Sequence, residues 1–378
     1  MLVAKELDVK ANEHYHNHER VVYFEHEAAG LKAIISVHNT NLGPSLGGCR
    51  MNPYETQQDA IEDVLRLSRG MTYKSALAGL PLGGGKSVII GNPRSDKTPA
   101  LFEAMGEAVE YMGGSYITAE DVGTSEENMQ SISKNTKFVA GLPLSVLQAR
   151  VENPVGGNPS PYTALGVYCG LKAAVKYQLK RENVAGLKVA VQGLGSVGYD
   201  LCRFLDEAGA ALFVTDVSQD VLEKAKSEFS NVHVVGLDDI YDMPVDVYAP
   251  CALGATVNDE TIARLKCKVI AGAANNQLQR NRHDQMLHDK GILYAPDYVI
   301  NSGGVMCVGY EFFQLTENPM PYELNEENLK NHVSEIENVT MKIFDYAKQH
   351  NLPVGAAADQ LAEEIFLGAG DVKHVANS

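Results

Sequence analysis

Hydrophobic and polar positions follow one pattern in the first part of the chain and a different one after residue 161. Residues 56–70 carry apolar side chains at helical spacing, and Thr56 is well placed to cap that helix. Two runs rich in β-forming residues flank residues 28–30, which predicts a hairpin. After residue 161, strand and helix patterns alternate with short connections. This alternation predicts a parallel sheet with helices on both faces.

Periodicity is weakest between residues 135 and 160, where prolines and a glycine pair interrupt the pattern. A chain of 378 residues is long enough for two separate cores. We therefore predict an α/β protein with an N-terminal domain over 1–148, a doubly wound Rossmann-type domain over 149–349, and a cleft between them. A C-terminal helix over about 350–378 is expected to pack back on the first domain.

A glycine-rich turn follows the predicted strand 187–192 of the second domain. Residues 193–198 read G-L-G-S-V-G and lead into a predicted helix, and Asp216 closes the next strand. This is the G-x-G-x-x-G arrangement in its strand–turn–helix setting, where the glycines admit a pyrophosphate to the helix N-terminus. Asp216 can accept hydrogen bonds from ribose hydroxyls and would repel a 2′-phosphate. The motif therefore predicts a dinucleotide site that favours NAD over NADP.

Two lysines of the first domain, Lys74 and Lys86, stand on either side of a proline-glycine break. Residues 83–85 are glycines, and we expect them to form a tight turn that presents Lys86. A Walker phosphate loop is disfavoured, because Leu80 stands where that motif needs its first glycine. Asp121 follows a predicted strand, a position where α/β proteins collect site residues, and is a candidate acid or base. The alternative for Asp121 is a solvated loop carboxylate.

The net charge and the residue composition exclude several classes of function. The net charge of −16 argues against nucleic acid or an anionic membrane as a partner. No apolar run has membrane-spanning length and no leader pattern is visible, so we expect a cytoplasmic protein. The six cysteines form no C-x-x-C pair, so neither a metal site nor a disulfide framework is predicted. His14, His16 and His18 alternate as metal ligands on a strand could, but a solvated terminal segment is the favoured interpretation.

Five stretches together resemble a known enzyme family. They are LGPSLGGCRMNPY (42–54), GMTYKSALAGLPLGGGKSVIIG (70–91), YITAEDVGT (116–124), GNPSPYTALGVY (157–168) and YAPDYVINSGGV (294–305). These stretches resemble the amino-acid dehydrogenase superfamily of glutamate, leucine, phenylalanine and valine dehydrogenases, and most closely its leucine branch. The segment 143–157 departs from the family, because it looks several residues longer than the usual connection.

The resemblance implies an NAD-dependent oxidoreductase that reversibly converts L-amino acids to 2-oxo acids and ammonia. Lys74 matches the lysine that binds the substrate carboxylate, Lys86 the catalytic lysine, and Asp121 the proton-relay aspartate. A lysine beside another cation can serve as the base that activates the attacking water. Gly47 and Gly48 match the glycine pair beside the substrate.

The resemblance also assigns the side-chain pocket to aliphatic residues. The substrate-binding set includes Leu46, Met71, Ala119, Val305 and Val308. Because no lysine or serine is visibly placed to receive a γ-carboxylate, glutamate is disfavoured as the substrate. One methylene changes affinity by only ~1–3 kcal/mol in an apolar pocket, so leucine, isoleucine and valine should all be accepted. Phenylalanine is the alternative substrate.

The remaining predicted site residues bind the cofactor. By motif and resemblance they are Thr163, Gly193, Gly195, Ser196, Val197, Gly198, Asp216, Cys251, Ala252, Asn275 and Asn276, the last also contacting the substrate. The resemblance further implies a homo-oligomer, either an octamer or a dimer. A non-catalytic NAD-sensing protein and an enzyme for another adenosine ligand stay open as alternatives. The NAD sensor would have no need of Lys74, Lys86 and Asp121 together.

Overall fold

The computed structural model describes the backbone of residues 1–376 and the side chains of residues 1–368. It divides the chain into two compact units. The first unit comprises residues 1–158, 305–329 and the chain from 362 onward, and the second comprises 159–304 and 330–361. Within the described residues, each unit is built around a six-stranded sheet. This architecture confirms the predicted α/β fold class.

The sheet of the first unit combines antiparallel and parallel strands. Its strands are β1 (Val3–Glu6), β2 (Arg20–His26), β3 (Leu31–Asn39), β4 (Ser45–Asn52), β5 (Gly83–Ile90) and β6 (Tyr116–Glu120). In space they run β1-β2-β3-β5-β4-β6, with β4 parallel to both neighbours. Strands β2 and β3 pair antiparallel, which confirms the hairpin predicted around residues 28–30. The order places β4 between the strand that carries Lys86 and the strand that leads to Asp121.

The sheet of the second unit is parallel throughout, as predicted. Its strands are β7 (Lys188–Gln192), β8 (Ala211–Thr215), β9 (Val232–Val234), β10 (Val247–Pro250), β11 (Val269–Ile270) and β12 (Leu293–Tyr294). They run β12-β11-β10-β7-β8-β9 in space. The strand order therefore reverses between β7 and β10, which is the switch point where open α/β sheets bind ligands.

The described α-helices lie between these strands and after the last of them. They are α1 (Gln57–Leu77), α2 (Pro99–Tyr111), α3 (Glu126–Ile132), α4 (Leu144–Gln148), α5 (Ser160–Ala174), α6 (Ser196–Glu207), α7 (Gln219–Glu228), α8 (Asp259–Arg264), α9 (Arg282–Lys290), α10 (Asp297–Ile300), α11 (Gly303–Leu315), α12 (Glu326–Ser334), α13 (Ile336–His350) and α14 (Val354–Ala376). None of them combines the length and apolar character that crossing a membrane requires. Thr56 caps α1 as predicted, because Thr56 and Asp59 each bind the other's backbone N–H.

Helices α1 and α2 cover opposite faces of the first sheet. Val64 of α1 packs in a cluster with Val88 of β5, whereas α2 packs in the cluster that contains Ile89. Successive residues of a strand point to opposite faces, so Lys86 lies on the same face as Val88. Lys86 therefore faces the helix that carries Lys74.

The glycines at 83–85 are strand residues and do not form the predicted turn. Strand β5 begins at Gly83, and none of these three glycines has a positive φ. Glycine is needed there for close approach, because a Cβ at Gly84 would lie 2.0 Å from the backbone N of Thr72 in α1. The predicted turn is wrong because a glycine run looks the same whether the chain bends or packs tightly against a helix.

The division of the structure differs from the predicted boundaries at α11. The prediction gave this helix to the second domain, whereas residues 305–329 belong to the first unit. Glu311 Oε1 accepts the backbone N–H of Leu142 at 3.0 Å. One turn later, Gln314 Oε1 accepts the backbone N–H of Val155 at 2.7 Å. These partners are distant in sequence, so helical periodicity cannot reveal them.

The C-terminal helix α14 belongs to the first unit from residue 362 onward. Tyr73 of α1 donates its hydroxyl to Glu363 Oε1 at 2.5 Å. The ring of Phe366 packs edge-on against that of Tyr73, with 5.4 Å between centroids. This part of α14 therefore packs on α1. Residues 377–378 of the predicted helix lie outside the described residues.

Candidate active site

A buried ion pair joins Lys86 and Asp121 in the first unit. Lys86 lies on β5 and is only 7% exposed. Its Nζ donates a hydrogen bond to Oδ2 of Asp121, the residue that follows β6. Because β4 separates β5 from β6, the pair reaches across the middle strand. Burying charge is costly unless the charge is paired, so two charges retained here indicate a functional site.

Gly47 and Gly48 make this contact across β4 possible. A Cβ at Gly47 would lie 1.7 Å from the carbonyl oxygen of Gly85, and one at Gly48 would lie 2.7 Å from Cβ of Asp121. A side chain at either position would collide with the groups that form the site. Tyr116 donates its hydroxyl to the carbonyl of Gly47 at 2.7 Å and holds the strand in place. The predicted glycine pair therefore lies beside the ion pair.

Lys74 is carried by a helix that touches β5. It lies half-buried in the last turn of α1. The helix and the strand meet most closely at Thr72 and Gly84, which precede Lys74 and Lys86 by two residues each. The structure thus brings the two lysines onto neighbouring elements on one face of the sheet.

Two opposing effects determine the charge of Asp121. Burial raises the pKa of this carboxyl, but the cations of Lys86 and Arg50 and the N–H of Val122 outweigh it and hold the pKa below its ordinary value. Arg50 Nε lies 3.7 Å from Asp121 Oδ2. The Val122 N–H donates to Oδ1 of Asp121 at 2.6 Å. Asp121 is therefore a carboxylate at neutral pH.

Three predicted pocket residues lie close to this cluster. Leu46 and Ala119 are buried, and in the sheet they pair with Gly84 and Gly48 respectively. Met71 is half-buried on α1, next to the point where that helix meets β5. The apolar surface beside the glycine pair therefore comes from two strands and a helix.

The other two predicted pocket residues, Val305 and Val308, lie on α11. Val305 is buried and Val308 is half-buried. A Cβ at Gly309, the residue after Val308, would lie 3.3 Å from Cδ1 of Leu82. This contact brings α11 near the start of the strand that carries Lys86.

The glycine turn of the second unit has the geometry of an anion-binding loop. Gly193 has a φ of 95°, and a Cβ at Gly198 would lie 2.1 Å from the carbonyl oxygen of Gly193. Gly195 faces open space, and no side chain caps the first N–H groups of α6, which begins with Ser196 and Val197. Such N–H groups are the donors that a pyrophosphate requires. The residues present therefore fit the phosphates of a dinucleotide.

Asp216 follows β8 and supports this turn. Its Oδ2 accepts the backbone N–H of Leu194 at 2.7 Å, and its Oδ1 accepts that of Ser218 at 2.8 Å. Each carboxylate oxygen has further lone pairs, and the residue is half-buried. Asp216 can therefore hold the turn and accept a ribose hydroxyl at the same time.

The turn after β10 lies against the turn after β7. The backbone N–H of Cys251 donates to the carbonyl of Gln192 at 2.7 Å. A Cβ at Gly193 would lie 2.6 Å from Cβ of Ala252. Burial raises the pKa of the Cys251 thiol to about 12, so this side chain is neutral. The two turns therefore meet at the switch point of the sheet.

The remaining predicted cofactor residues also belong to the second unit. Thr163 lies in the first turn of α5. Asn275 Oδ1 accepts a hydrogen bond from Nδ2 of Asn301 at 2.8 Å, which orients its amide. Asn276 has a φ of 52°, and its carbonyl accepts the N–H of Ala255 at 2.7 Å. The two asparagines therefore occupy a turn of fixed conformation.

Comparisons with known proteins identify relatives of this chain. The family model described as "Glu/Leu/Phe/Val dehydrogenase, dimerisation domain" matches residues 16–138, and "Glutamate/Leucine/Phenylalanine/Valine dehydrogenase" matches residues 214–366. A leucine dehydrogenase of Thermoactinomyces intermedius is 49% identical over 92% of this chain and 91% of its own. The chain belongs to the glutamate/leucine/phenylalanine/valine dehydrogenase family.

Relatives within this family differ in their substrates. A phenylalanine dehydrogenase of Bacillus thermotolerans is 43% identical over 94% of this chain and 90% of its own. The crystal structure of L-tryptophan dehydrogenase from Nostoc punctiforme matches with a TM-score of 0.80 at 41% identity, covering 93% of this chain and 97% of that one. As a family member, the protein is an amino-acid dehydrogenase, an oxidoreductase that uses a nicotinamide cofactor.

Sequence reasoning about this dehydrogenase missed Arg50 and Asp63. Arg50 Nη1 donates to Asp63 Oδ2 at 3.0 Å, which links β4 to α1 next to Asp121. A signal was available for Arg50, because it follows Gly48 at strand spacing and so lies on the same face of the sheet. Asp63 gave no such signal, since nothing in the helical pattern distinguishes it from a solvated carboxylate.

His18, one of the histidines near the N-terminus, forms a buried pair with His38, and their ring centroids lie 4.8 Å apart. His18 is buried and not solvated as expected, and it donates from Nε2 to the carbonyl of Leu65 at 2.9 Å. His38 accepts at Nδ1 from the hydroxyl of Thr72 at 2.8 Å. Burial lowers the pKa of His18 to about 4 and that of His38 to about 3, so both are neutral. No group of metal-ligating side chains occurs among the described residues.

Proposed function

We propose that this dehydrogenase catalyses the reversible oxidative deamination of branched-chain L-amino acids, with leucine preferred and valine and isoleucine accepted. The products are the 2-oxo acid, ammonia and NADH. The observation that carries the proposal is the buried Lys86–Asp121 pair beside Gly47 and Gly48, with Lys74 on the adjoining helix. A protein that only sensed NAD would have no need of this cluster.

The two lysines have different parts in the proposed reaction. The ammonium group of Lys74 binds the substrate carboxylate as a point charge. A bound nicotinamide would supply the acceptor for the hydride that leaves the substrate Cα. Lys86, as the free amine, removes a proton from the water that attacks the resulting imine carbon. Both groups lie on the α1 face of the sheet, which supports their acting on one substrate.

Asp121 accepts and donates the protons of the substrate amino group. Its carboxylate accepts a proton from the substrate ammonium before the hydride leaves, and it returns a proton to the nitrogen that departs as ammonia. Lys86 and Asp121 are in direct hydrogen-bonding contact, so a proton can pass between them within the cycle.

The second unit supports NAD as the cofactor. The uncapped N-terminus of α6 would hold the pyrophosphate, and Asp216 would accept the ribose hydroxyls. A 2′-phosphate would bring negative charge against the Asp216 carboxylate, which disfavours NADP.

Aliphatic side chains support leucine as the preferred substrate. Leu46, Ala119, Val305 and Val308 present no charge that could bind a γ-carboxylate. The leucine dehydrogenase of T. intermedius is 49% identical, compared with 43% for the phenylalanine dehydrogenase of B. thermotolerans. An aromatic amino acid is the second candidate, because both phenylalanine and tryptophan dehydrogenases are among the relatives.

We also propose a cytoplasmic homo-oligomer. The family model that matches residues 16–138 is described as a dimerisation domain. This description supports either a dimer or an octamer that is assembled from dimers. The six cysteines, all within the described residues, are unpaired, which suits a reducing compartment.

The test is NADH formation by the purified protein at alkaline pH, with leucine, valine, isoleucine, phenylalanine, tryptophan and glutamate. We expect the highest kcat/KM for leucine and none measurable for glutamate. A preference for phenylalanine or tryptophan would support the proposed reaction but contradict leucine as the preferred substrate. No NADH with any amino acid would overturn the proposed reaction. Lys86→Ala protein, prepared identically, excludes a contaminating dehydrogenase.

A further inference from the structure

Arg50 lies between two carboxylates beside the candidate active site. Its Nη1 donates to Asp63 Oδ2 at 3.0 Å, whereas its Nε lies 3.7 Å from Asp121 Oδ2. The second distance is too long for a hydrogen bond, and Nε is buried without a hydrogen-bond partner among the described residues. Asp63 therefore orients the guanidinium group, which acts on Asp121 through its charge.

Asp63 is itself held by two further donors. Tyr54 donates its hydroxyl to Asp63 Oδ2 at 2.7 Å, and Arg66 donates from Nη2 to Oδ1 at 3.1 Å. Burial, followed by the hydrogen bond to Asp63, raises the pKa of Tyr54, so its phenol remains a donor. The half-buried Tyr54 fixes the carboxylate on α1 and so holds Arg50 at its distance from Asp121, whereas the Arg66 side chain is 61% exposed and its ion pair adds little to that hold.

A permanent positive charge is useful here because of the reaction proposed above. Lys86 must lose its proton to act as a base, and in that step Asp121 loses the cation that touches it. An arginine stays protonated throughout, so Arg50 still faces the carboxylate. Since Arg50 forms no hydrogen bond to Oδ2, that oxygen stays available to Lys86 and to the substrate.

We propose that Arg50 is a positioning residue that keeps the Asp121 carboxylate charged while Lys86 loses and regains its proton. The proposal rests on the proposed function, which gives Asp121 its role as proton relay. It adds a residue that touches neither substrate nor cofactor and acts through Asp121.

Other titratable groups near Asp121 do not replace Arg50. They are Cys49 on β4, Tyr54 after β4, and Tyr116 and Glu120 on β6. Burial raises the pKa of Cys49 to about 12 and raises that of Tyr116 as well, so neither carries charge at neutral pH. Burial, then the nearby acidic groups, raise the pKa of Glu120, and its charge has the wrong sign to stabilise a carboxylate. The cations of Lys86 and Arg50 both lower the pKa of Asp121.

The test compares Arg50→Gln with Arg66→Gln in pH profiles of kcat/KM for leucine. Both changes remove a cation from Asp63, but only Arg50 also faces Asp121. Losing that cation favours the protonated forms of both Asp121 and the base Lys86 in contact with it, so the acid limb of the Arg50→Gln profile should move up by about one pH unit. The Arg66→Gln profile should match wild type. An unmoved limb in Arg50→Gln, or an equal shift in both variants, would overturn the proposal.

Two further variants separate a positioning role from a general loss of structure. Arg50→Lys keeps the cation and should restore most of the wild-type profile. Tyr54→Phe loosens the hold of Asp63 on Arg50 and should shift the limb in the same direction by less. In Arg50→Gln we expect kcat to fall about tenfold with KM for leucine within about twofold, because Lys74 is proposed to bind the carboxylate. A KM effect alone would assign Arg50 to substrate binding instead.

A direct titration keeps this inference distinct from the proposed function. Protein labelled with ¹³C at aspartate carboxyl groups is followed by NMR against pH, and Asp121→Asn identifies the Asp121 signal. The Asp121 midpoint should rise in Arg50→Gln and stay in place in Arg66→Gln. If the wild type oxidised no amino acid, the proposed function would fail, and this titration would still decide the influence of Arg50. An unchanged Asp121 midpoint in Arg50→Gln would overturn the inference that Arg50 acts on Asp121.

Discussion

The two units present their proposed ligands with opposite kinds of chemistry. In the first, the buried Lys86 and the half-buried Asp121 and Arg50 form a cluster of charges on or directly after strands of one sheet. In the second, backbone N–H groups at the start of α6 face outward, and Asp216 is the carboxylate that supports their turn. Buried charges shift each other's pKa, whereas backbone donors do not titrate. The first unit should therefore determine turnover and its pH dependence, and the second should determine cofactor affinity.

Lys86→Ala tests this separation with the largest expected effect. We expect kcat for leucine to fall by about 10³-fold, because a general base contributes about 10²–10⁴-fold. NAD affinity should stay within about twofold. NADH absorbance measures the first quantity and titration calorimetry the second. The control is Lys134→Ala, which removes a surface lysine paired with Glu103 and should change neither. A large loss of NAD binding in Lys86→Ala would contradict the assignment of turnover to the first unit and cofactor affinity to the second.

Gly198→Ala and Gly195→Ala test the same separation from the cofactor side. A Cβ at Gly198 would collide with the carbonyl of Gly193, whereas one at Gly195 would meet no other atom of the chain. We expect Gly198→Ala to weaken NAD binding about 10–100-fold and to lower thermal stability, since overpacking costs about 1–3 kcal/mol. Gly195→Ala should weaken NAD binding without loss of stability. Calorimetry and thermal melting decide, and unchanged NAD affinity in both variants would remove this turn from the cofactor site.

His38→Gln sharpens the comparison by locating acid sensitivity in the first unit. Burial lowers the pKa of His38 to about 3 from the ordinary 6.5. Below pH 6.5 this histidine is therefore protonated in the unfolded chain but stays neutral in the folded one. The neutral His38 contributes its full stabilisation above pH 6.5, and this stabilisation is lost as the pH falls. At pH 5 the loss in the free energy of unfolding amounts to about 2 kcal/mol.

Urea unfolding at pH 7 and pH 5 measures that loss. We expect His38→Gln to lose about 2 kcal/mol less than wild type between the two pH values, whatever its stability at pH 7. His233→Gln is the control, because His233 is exposed in the second unit. Equal losses in His38→Gln and wild type would place the acid-sensitive groups elsewhere.

Asp216→Ala carries the smallest expected effect. Removing this carboxylate should change the ratio of kcat/KM for NAD to that for NADP by about tenfold toward NADP, since a hydrogen bond to a charged group contributes about 1.5–3 kcal/mol. Asp216→Asn removes the charge and keeps an acceptor for one of the two N–H groups that hold the glycine turn, which separates the loss of charge from a complete loss of that support. Steady-state kinetics with both cofactors give the ratio, and an unchanged ratio would remove Asp216 from cofactor selection.

The glycine turn of the second unit could be predicted from sequence because its determinants are local. The G-x-G-x-x-G pattern, the strand before it and the helix after it lie within one short stretch, and Asp216 closes the next strand. Each glycine has a steric reason that operates between near neighbours, as Gly193 and Gly198 show. Strand and helix periodicity therefore located this turn without knowledge of the rest of the fold.

The charge cluster of the first unit could be predicted only in part. Lys86 and Asp121 were found through their motifs, but the contact between them depends on β4, which comes from a third part of the chain. Asp63 enters because α1 packs over that sheet, and a helical pattern carries no information about such a contact. The glycines at 83–85 were misread for the same reason, since their partner is also α1.

The contacts of α11 have a consequence for how the protein is made. Residues 1–158 leave the ribosome well before Glu311 and Gln314 exist. Until then the amide groups of Leu142 and Val155 lack the acceptors that hold them in the finished fold. The second unit is largely synthesised in the interval. Because residues from 362 onward also belong to it, the unit whose translation begins first is completed last, and its nascent form has to stay accessible to helices still to come.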